Sequence, residues 1–186
     1  YNCSQLQSEI DWLQSRELFN QYRYEIENKI ELSDLQRAAR YLYLIKCSFG
    51  SNRSSFATAA KTIINIIDDL PAYQARLKNV IIENRDFESL IKTYDREKAV
   101  FYIDPPYVAS ERYYNKKYVS FNNGDHIRLN AVLKAIKGRF ILSYNDCDFI
   151  RNLYKDYNIR NISRHNLLPV TNENRAEFKE VIITNY

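Results

Sequence analysis

Four consecutive residues, Asp104-Pro105-Pro106-Tyr107, bring a carboxylate, two rigid imides and an aromatic ring together directly after the apolar run Val100-Phe101-Tyr102-Ile103. The carboxylate and the proline carbonyls accept hydrogen bonds, and the pyrrolidine rings fix where those carbonyls point. A β-branched and aromatic run that stops at such a group reads as a buried strand ending in a stiff loop. In an open α/β sheet, ligands bind at the carboxyl ends of the strands. A surface turn has the same local sequence, since Asp and Pro also mark turns. The surrounding elements have to decide between an active site and a turn.

The first part of the chain is helical in pattern. Leu6, Ile10 and Leu13, then Phe19, Tyr22 and Ile26, form stripes that predict helix from Ser4 to about Asn28. Ser33-Asp34-Leu35-Gln36 has the spacing of a capping box and predicts a helix over 34–47 that buries Leu35, Ala39, Leu42 and Ile45. Residues 48–55 form a short polar loop. The stripe Ile63, Ile64, Ile66, Ile67, Leu70 predicts another helix, ending before Pro71. After Lys78 the texture changes. Asn79-Val80-Ile81-Ile82 predicts a buried strand, Asp86 caps a helix over 87–94, and 99–103 is a second strand, which together make a βαβ unit with parallel strands. Asp86 and Asp104 would then end neighbouring strands. Asp125 is expected to cap a helix that Gly138 ends, with His126 structural just inside it. Further strands are expected at 140–144, 157–163 and 178–185, with a helix over 148–154 between the first two. The last two strands lack a crossover helix and should pair antiparallel. The expected fold class is α/β: a mostly parallel, Rossmann-like sheet with an antiparallel terminal hairpin. Residues 1–75 would form a helical subdomain and 76–186 the sheet domain.

Composition narrows the chemistry. Glycine occurs only at Gly50, Gly124 and Gly138, so no G-x-G phosphate loop exists in these residues. Cys3, Cys47 and Cys147 are too widely spaced for a zinc site or a disulfide framework, and they fit reduced thiols in a cytosol. No apolar run has the length of a membrane span. Methionine is absent, so the sequence is expected to begin inside a longer gene product. A net charge of +4 with 16 tyrosines is compatible with a nucleic-acid partner without demanding one.

The loop and its neighbours resemble a known family. Asp104-Pro105-Pro106-Tyr107 after Val100–Ile103 looks like motif IV of the amino methyltransferases that use S-adenosylmethionine, and the whole chain resembles the Dam-type (D12 class) DNA adenine-N6 methyltransferases. Arg37-Ala38-Ala39-Arg40-Tyr41-Leu42-Tyr43-Leu44 is similar to the helix before the family's DNA-contacting hairpin. Asn84-Arg85-Asp86-Phe87 resembles the segment beside the cofactor's adenine, Leu142-Ser143-Tyr144-Asn145 the later strand motif, and Glu180–Tyr186 the terminal strand.

The resemblance implies a methyl transfer from S-adenosylmethionine to the N6 amine of an adenine flipped out of double-stranded DNA, with no metal. The catalytic residues would be Asp104, Pro105, Pro106 and Tyr107. Asp104 and the Pro105 carbonyl would accept the amine's N–H bonds and Tyr107 would stack on the base. The cofactor would lie against Asp86, Phe87 and Asp104. Candidates for DNA contact are Asn52, Arg53 and Lys61, then Arg112, Tyr114, Lys116 and Lys117, then Arg164 and Arg175. The family's F-x-G-x-G loop, its Pro-Phe motif and its ribose-binding acid have no counterpart in these residues, and 50–56 is shorter than the family's hairpin. The chain alone would therefore lack most of its cofactor pocket. An RNA or cytosine exocyclic-amine methyltransferase, or a truncated, non-catalytic DNA-binding prophage remnant, stays open as an alternative.

Overall fold

Ser33 starts a helix as its local sequence requires: its hydroxyl accepts from the Gln36 backbone N–H and the Gln36 side chain accepts from the Ser33 N–H. The computed structural model describes residues 3–108, 121–165 and 177–186. The chain divides into two units, Tyr1–Ile82 and Glu83–Tyr186.

In the first unit, helices α1 (Cys3–Glu9), α2 (Arg16–Glu27), α3 (Asp34–Cys47) and α4 (Ile63–Leu77) surround a core that contains Ile10, Phe19, Ala39, Tyr43, Leu44 and Ile63. Two expectations fail here, each because of a distant partner. The helix expected over 4–28 is broken between α1 and α2. The Tyr43 hydroxyl of α3 enters the break, accepting from Ser15 N at 2.8 Å and donating to Leu13 O at 2.9 Å. The helix expected to stop before Pro71 continues to Leu77. Proline removes the N–H that would meet the Ile67 carbonyl, and Gln7 Nε2 supplies a donor to that carbonyl at 2.8 Å. The buried stripe of α3 is also rotated from the expected one: Ala39 is buried as expected, but Tyr43, Leu44 and Cys47 join it, whereas Leu35, Leu42 and Ile45 are half-buried.

The second unit carries the sheet. Strands β1 (Val100–Ile103), β2 (Arg139–Asn145), β3 (Asn158–His165) and β4 (Glu177–Thr184) lie in the order β1-β2-β4-β3. β1 and β2 are parallel, and β4 runs antiparallel to both β2 and β3. The terminal hairpin is antiparallel as expected, but β4 inserts between β2 and β3, so two of the three pairings among the described strands are antiparallel and the sheet is mixed, not mostly parallel. Phe140, Leu142 and Tyr144 alternate along β2 and are fully buried with Leu129, Leu133, Ile150, Tyr154, Val181 and Ile183. These apolar contacts bring α5 (Phe87–Tyr94), α6 (Asn123–Lys134) and α7 (Asp148–Leu153) against the sheet.

The strand expected at 79–82 does not form. Val80, Ile81 and Ile82 are 52%, 75% and 82% exposed, and no described strand pairs with them. A strand is completed only by a neighbour's backbone, so the expected βαβ unit is absent. Two end signals also move. The N-cap of α6 is Asn122, whose Oδ1 accepts from Gly124 N at 2.7 Å, while Asp125 is the capping-box partner that accepts from Asn122 N at 3.0 Å. Gly138 belongs to the turn before β2, not to the end of α6. A Cβ there would meet the Ala99 carbonyl at 2.7 Å, so the close approach of the β1 and β2 entrances requires glycine. Among the described residues no helix is long and apolar enough to cross a membrane.

Candidate active site

The loop after β1 is pinned at both ends by alternate residues of β2. Residues two apart on a strand project to the same side, and here they are Ser143 and Asn145. Ser143, itself buried, donates from Oγ to Asp104 Oδ1 at 2.7 Å. Four residues further along the loop, Val108 N donates to Asn145 Oδ1 at 3.0 Å and Val108 O accepts from Asn145 Nδ2 at 3.2 Å. The carboxamide thus pairs with one residue's backbone much as a neighbouring strand would. Asp104 is exposed, and its Oδ2 accepts no hydrogen bond from the described residues. An anchored carboxylate with one outward acceptor is suited to receive an N–H group.

Tyr107 is half-buried. Its ring packs against Tyr144 with centroids 6.2 Å apart, and its hydroxyl donates to the Glu180 carboxylate. Burial first, then the negative charges of Glu180 and Asp104, raise its pKa to about 12. The hydroxyl therefore stays protonated at neutral pH. Tyr144 in turn is fully buried and shares a 2.7 Å hydrogen bond with His126 Nδ1.

The second cluster is at the start of α5. Asp86 caps that helix as expected, accepting from Glu88 N at 3.1 Å. It does not end a strand, because 79–82 forms none, and its position is set by the helix it caps and by Arg128 of α6. Arg128 Nη2 meets Asp86 Oδ2 at 2.9 Å and Nη1 meets Oδ1 at 3.1 Å. This ion pair holds the Asp86 carboxyl below the usual carboxylate range and raises the Arg128 guanidinium. The guanidinium lies 4.1 Å above the Phe87 ring.

A path of ring contacts joins the two clusters. Phe87 touches Phe121 with centroids 5.8 Å apart, Phe121 touches His126 at 4.8 Å, and His126 touches Tyr144 at 5.4 Å. Tyr144 completes the path to Tyr107. His126 reads from the sequence as structural, and neither Arg128 nor Glu180 is marked there for a role. No local pattern marks Arg128, whose partner Asp86 is 42 residues away.

The DNA-contact candidates fare unevenly. Asn52 is absorbed by its own turn: Oδ1 accepts from Ser54 N at 2.9 Å and Ser55 N at 3.0 Å, and Nδ2 donates to Ser55 Oγ at 2.8 Å. Arg53 is exposed, has a positive φ of 60°, and lies 4.7 Å over the Tyr41 ring. Lys61 is exposed, with its backbone N–H bonded to Gln14 Oε1 at 2.8 Å. Arg164 belongs to β3. Arg112, Tyr114, Lys116, Lys117 and Arg175 lie outside the described residues. Among the described residues no group of three or more His, Cys, Asp or Glu side chains is placed to hold a metal ion.

The sequence model of the D12 class N6 adenine-specific DNA methyltransferases matches residues 2–166. The chain belongs to that family. It is similar to the Type II methyltransferase M1.LlaDCHI of Lactococcus lactis subsp. cremoris, with 26% identity over 174 residues that cover 84% of this chain and 61% of the relative. Similarity to the Type II methyltransferase M.CviBI of Paramecium bursaria Chlorella virus NC1A is 27% over 161 residues, covering 81% and 60%. This D12-class chain therefore spans about three fifths of the length of the curated relatives it matches. The mixed four-stranded sheet with helices packed against it is consistent with a methyltransferase fold.

Proposed function

We propose that the protein to which this chain belongs transfers a methyl group from S-adenosylmethionine to the N6 amine of an adenine in double-stranded DNA. The observation that carries this reading is the Asp104–Val108 loop, fixed by Ser143 and Asn145 and leaving, among the described residues, one Asp104 oxygen to accept. The adenine amine is a weak nucleophile because its lone pair is delocalised into the ring. Asp104 Oδ2 and the Pro105 carbonyl each accept one of its N–H bonds, which localises the lone pair and stabilises the positive charge that grows on nitrogen. Pro106 keeps the loop rigid, and Tyr107, fixed through its hydroxyl, offers its ring to the base. A base inside a duplex is out of reach, so it is flipped out at a cost of a few kcal/mol.

S-adenosylmethionine, when bound, supplies a methyl carbon already activated by its sulfonium. Asp86 and Phe87 would hold the adenine of that donor, the first by a hydrogen bond and the second by its ring, and Asp104 would serve the reacting end. The residues fit this group: beside its bonds to Arg128 and to the Glu88 and Ser89 N–H groups, the Asp86 side chain is 49% exposed and within reach of a ligand's N–H. In the same reading, the helical residues 1–75 serve target recognition, with Arg53 at the exposed loop meeting DNA. The basic residues 112, 116 and 117 and Tyr114 take backbone and stacking contacts beyond the catalytic loop.

The test is methyl transfer by the full-length protein from labelled S-adenosylmethionine, followed by hydrolysis and nucleoside analysis. N6-methyladenine from duplex DNA is expected, and Asp104→Ala should remove it while DNA binding changes by less than about threefold. Label on RNA or on cytosine, but not on DNA adenine, overturns the reading. DNA binding without any transfer overturns it in favour of a non-catalytic binding protein.

A further inference from the structure

Four of the five N–H donors of Arg128 are spent inside the protein, and the way they are spent bears on its role. Its two terminal nitrogens carry four N–H bonds, and four carboxylate contacts are present. Nη1 reaches Asp86 Oδ1 at 3.1 Å and Glu88 Oε2 at 3.4 Å, and Nη2 reaches Asp86 Oδ2 at 2.9 Å and Asp125 Oδ1 at 3.2 Å. A guanidinium committed in this way has little left for a phosphate or a ligand carboxylate. Its effect falls on the residues it grips.

The accounting for Asp86 comes out differently. An ionised carboxylate has about four lone-pair sites. Oδ1 is used by Arg128 Nη1 and by Glu88 N, and Oδ2 by Arg128 Nη2, and the Ser89 backbone N–H also bonds the carboxylate. The side chain nonetheless stays 49% exposed, so a ligand's N–H can reach it. The paired contact with Arg128 fixes the carboxylate plane and so fixes how that exposed edge is presented. The same guanidinium lies 4.1 Å above Phe87, and Phe121 packs on that ring at 5.8 Å, so ring and carboxylate are set together by residues of α6 and its approach. Without the guanidinium, the Asp86 carboxylate would keep only its backbone partners and lose the paired contact that sets its plane.

We infer that Arg128 is a positioning residue of the donor subsite, holding Asp86 and Phe87 in the one arrangement that receives an adenine with its N–H donor. This rests on the reading of Asp86 and Phe87 as the subsite for the adenine of S-adenosylmethionine. It goes beyond that reading by giving the subsite's geometry to a residue that touches no substrate.

The experiment titrates the full-length protein calorimetrically with S-adenosylmethionine and with S-adenosylhomocysteine, in the wild type, Arg128→Lys, Arg128→Met, Asp86→Asn and the double variant Asp86→Asn/Arg128→Met. Steady-state transfer is measured alongside. Arg128→Met should raise Kd and KM for the donor about tenfold while kcat at saturation stays within about threefold. Arg128→Lys should fall between, because one ammonium cannot grip both oxygens, and it serves as the informative variant if Arg128→Met fails a thermal-melt check. The double variant should bind no worse than the weaker single variant, since both changes break one unit. If Asp86→Asn weakens binding and neither Arg128 variant does, the positioning role is overturned and the subsite stands. Additive effects in the double variant, or a fall in kcat at unchanged Kd, also overturn it. If none of the variants changes donor affinity, the subsite reading itself fails.

Discussion

Val80-Ile81-Ile82-Glu83 and Val100-Phe101-Tyr102-Ile103-Asp104 read almost alike: an apolar, β-favouring run that ends at a carboxylate. They end differently. The second is β1, paired residue for residue with β2 from Val100↔Arg139 to Ile103↔Leu142. The first is exposed and forms no strand, and Glu83 accepts from the Tyr94 hydroxyl and from Arg85 Nη1, the latter at 3.0 Å. The difference teaches that a run of β-branched residues is only an offer, and that a partner strand whose own side chains are buried turns it into structure. It also separates two kinds of carboxylate. Asp104 gains a neighbour, Ser143, only because β2 lies beside β1.

The sharpest way to break this comparison is to remove both carboxylates in turn. In the full-length protein Asp104→Ala should lower methyl transfer by about 10²–10³-fold or more. Glu83→Gln should leave it within about threefold if a carboxylate after an apolar run has no catalytic meaning by itself. Equal losses in a radiolabel assay would make the two segments functionally equivalent and undo the distinction.

Stability should separate them next. Leu142 is fully buried on β2, so Leu142→Ala should cost about 2–5 kcal/mol in urea denaturation. Ile82→Ala, at a residue 82% exposed, should stay within about 0.5 kcal/mol. Asn145→Ala probes the pin and not the strand. It removes both hydrogen bonds to Val108 and should cost roughly 1–2 kcal/mol, with kcat falling more than KM rises, because the loop loses its fixed position.

The smallest expected effect is the pH dependence of the Asp86–Arg128 pair. The folded-state pKa of Asp86 is depressed, chiefly by the hydrogen bonds from Arg128. Its stabilising contribution is therefore present above the unfolded aspartate value, about 3.9, and is lost as pH falls through the lower folded value. Thermal melts of wild type and Arg128→Met should differ by a constant amount from neutral pH down to about pH 5 and converge only in stronger acid. Convergence near neutral pH would mean that a different group supports the pair.

Much of the site was legible because its signals are local. The Asp86 cap of α5 and the Ser33–Gln36 box of α3 each depend on residues within a few positions of each other, and both formed as their sequence implied. The loop Asp104–Tyr107 follows a strand as expected, and the motif order led to the family that the match over 2–166 bears out. What was missed depends on partners far along the chain. The break before α2 needs Tyr43, with its hydroxyl on Ser15 N 28 residues away, and the passage of α4 through Pro71 uses Gln7, 60 residues from Ile67.

The sequence by itself determined where α3 and α5 begin, which strand ends in Asp104-Pro105-Pro106-Tyr107, and the D12 family to which that loop belongs, because capping geometry and backbone stiffness act over a few residues. Tertiary structure alone decided that one apolar run pairs and the other does not, that Ser143 and Asn145 clamp the loop, and that Arg128 grips Asp86 across 42 residues. Those outcomes depend on which backbone and which charge arrive alongside, and packing sets that.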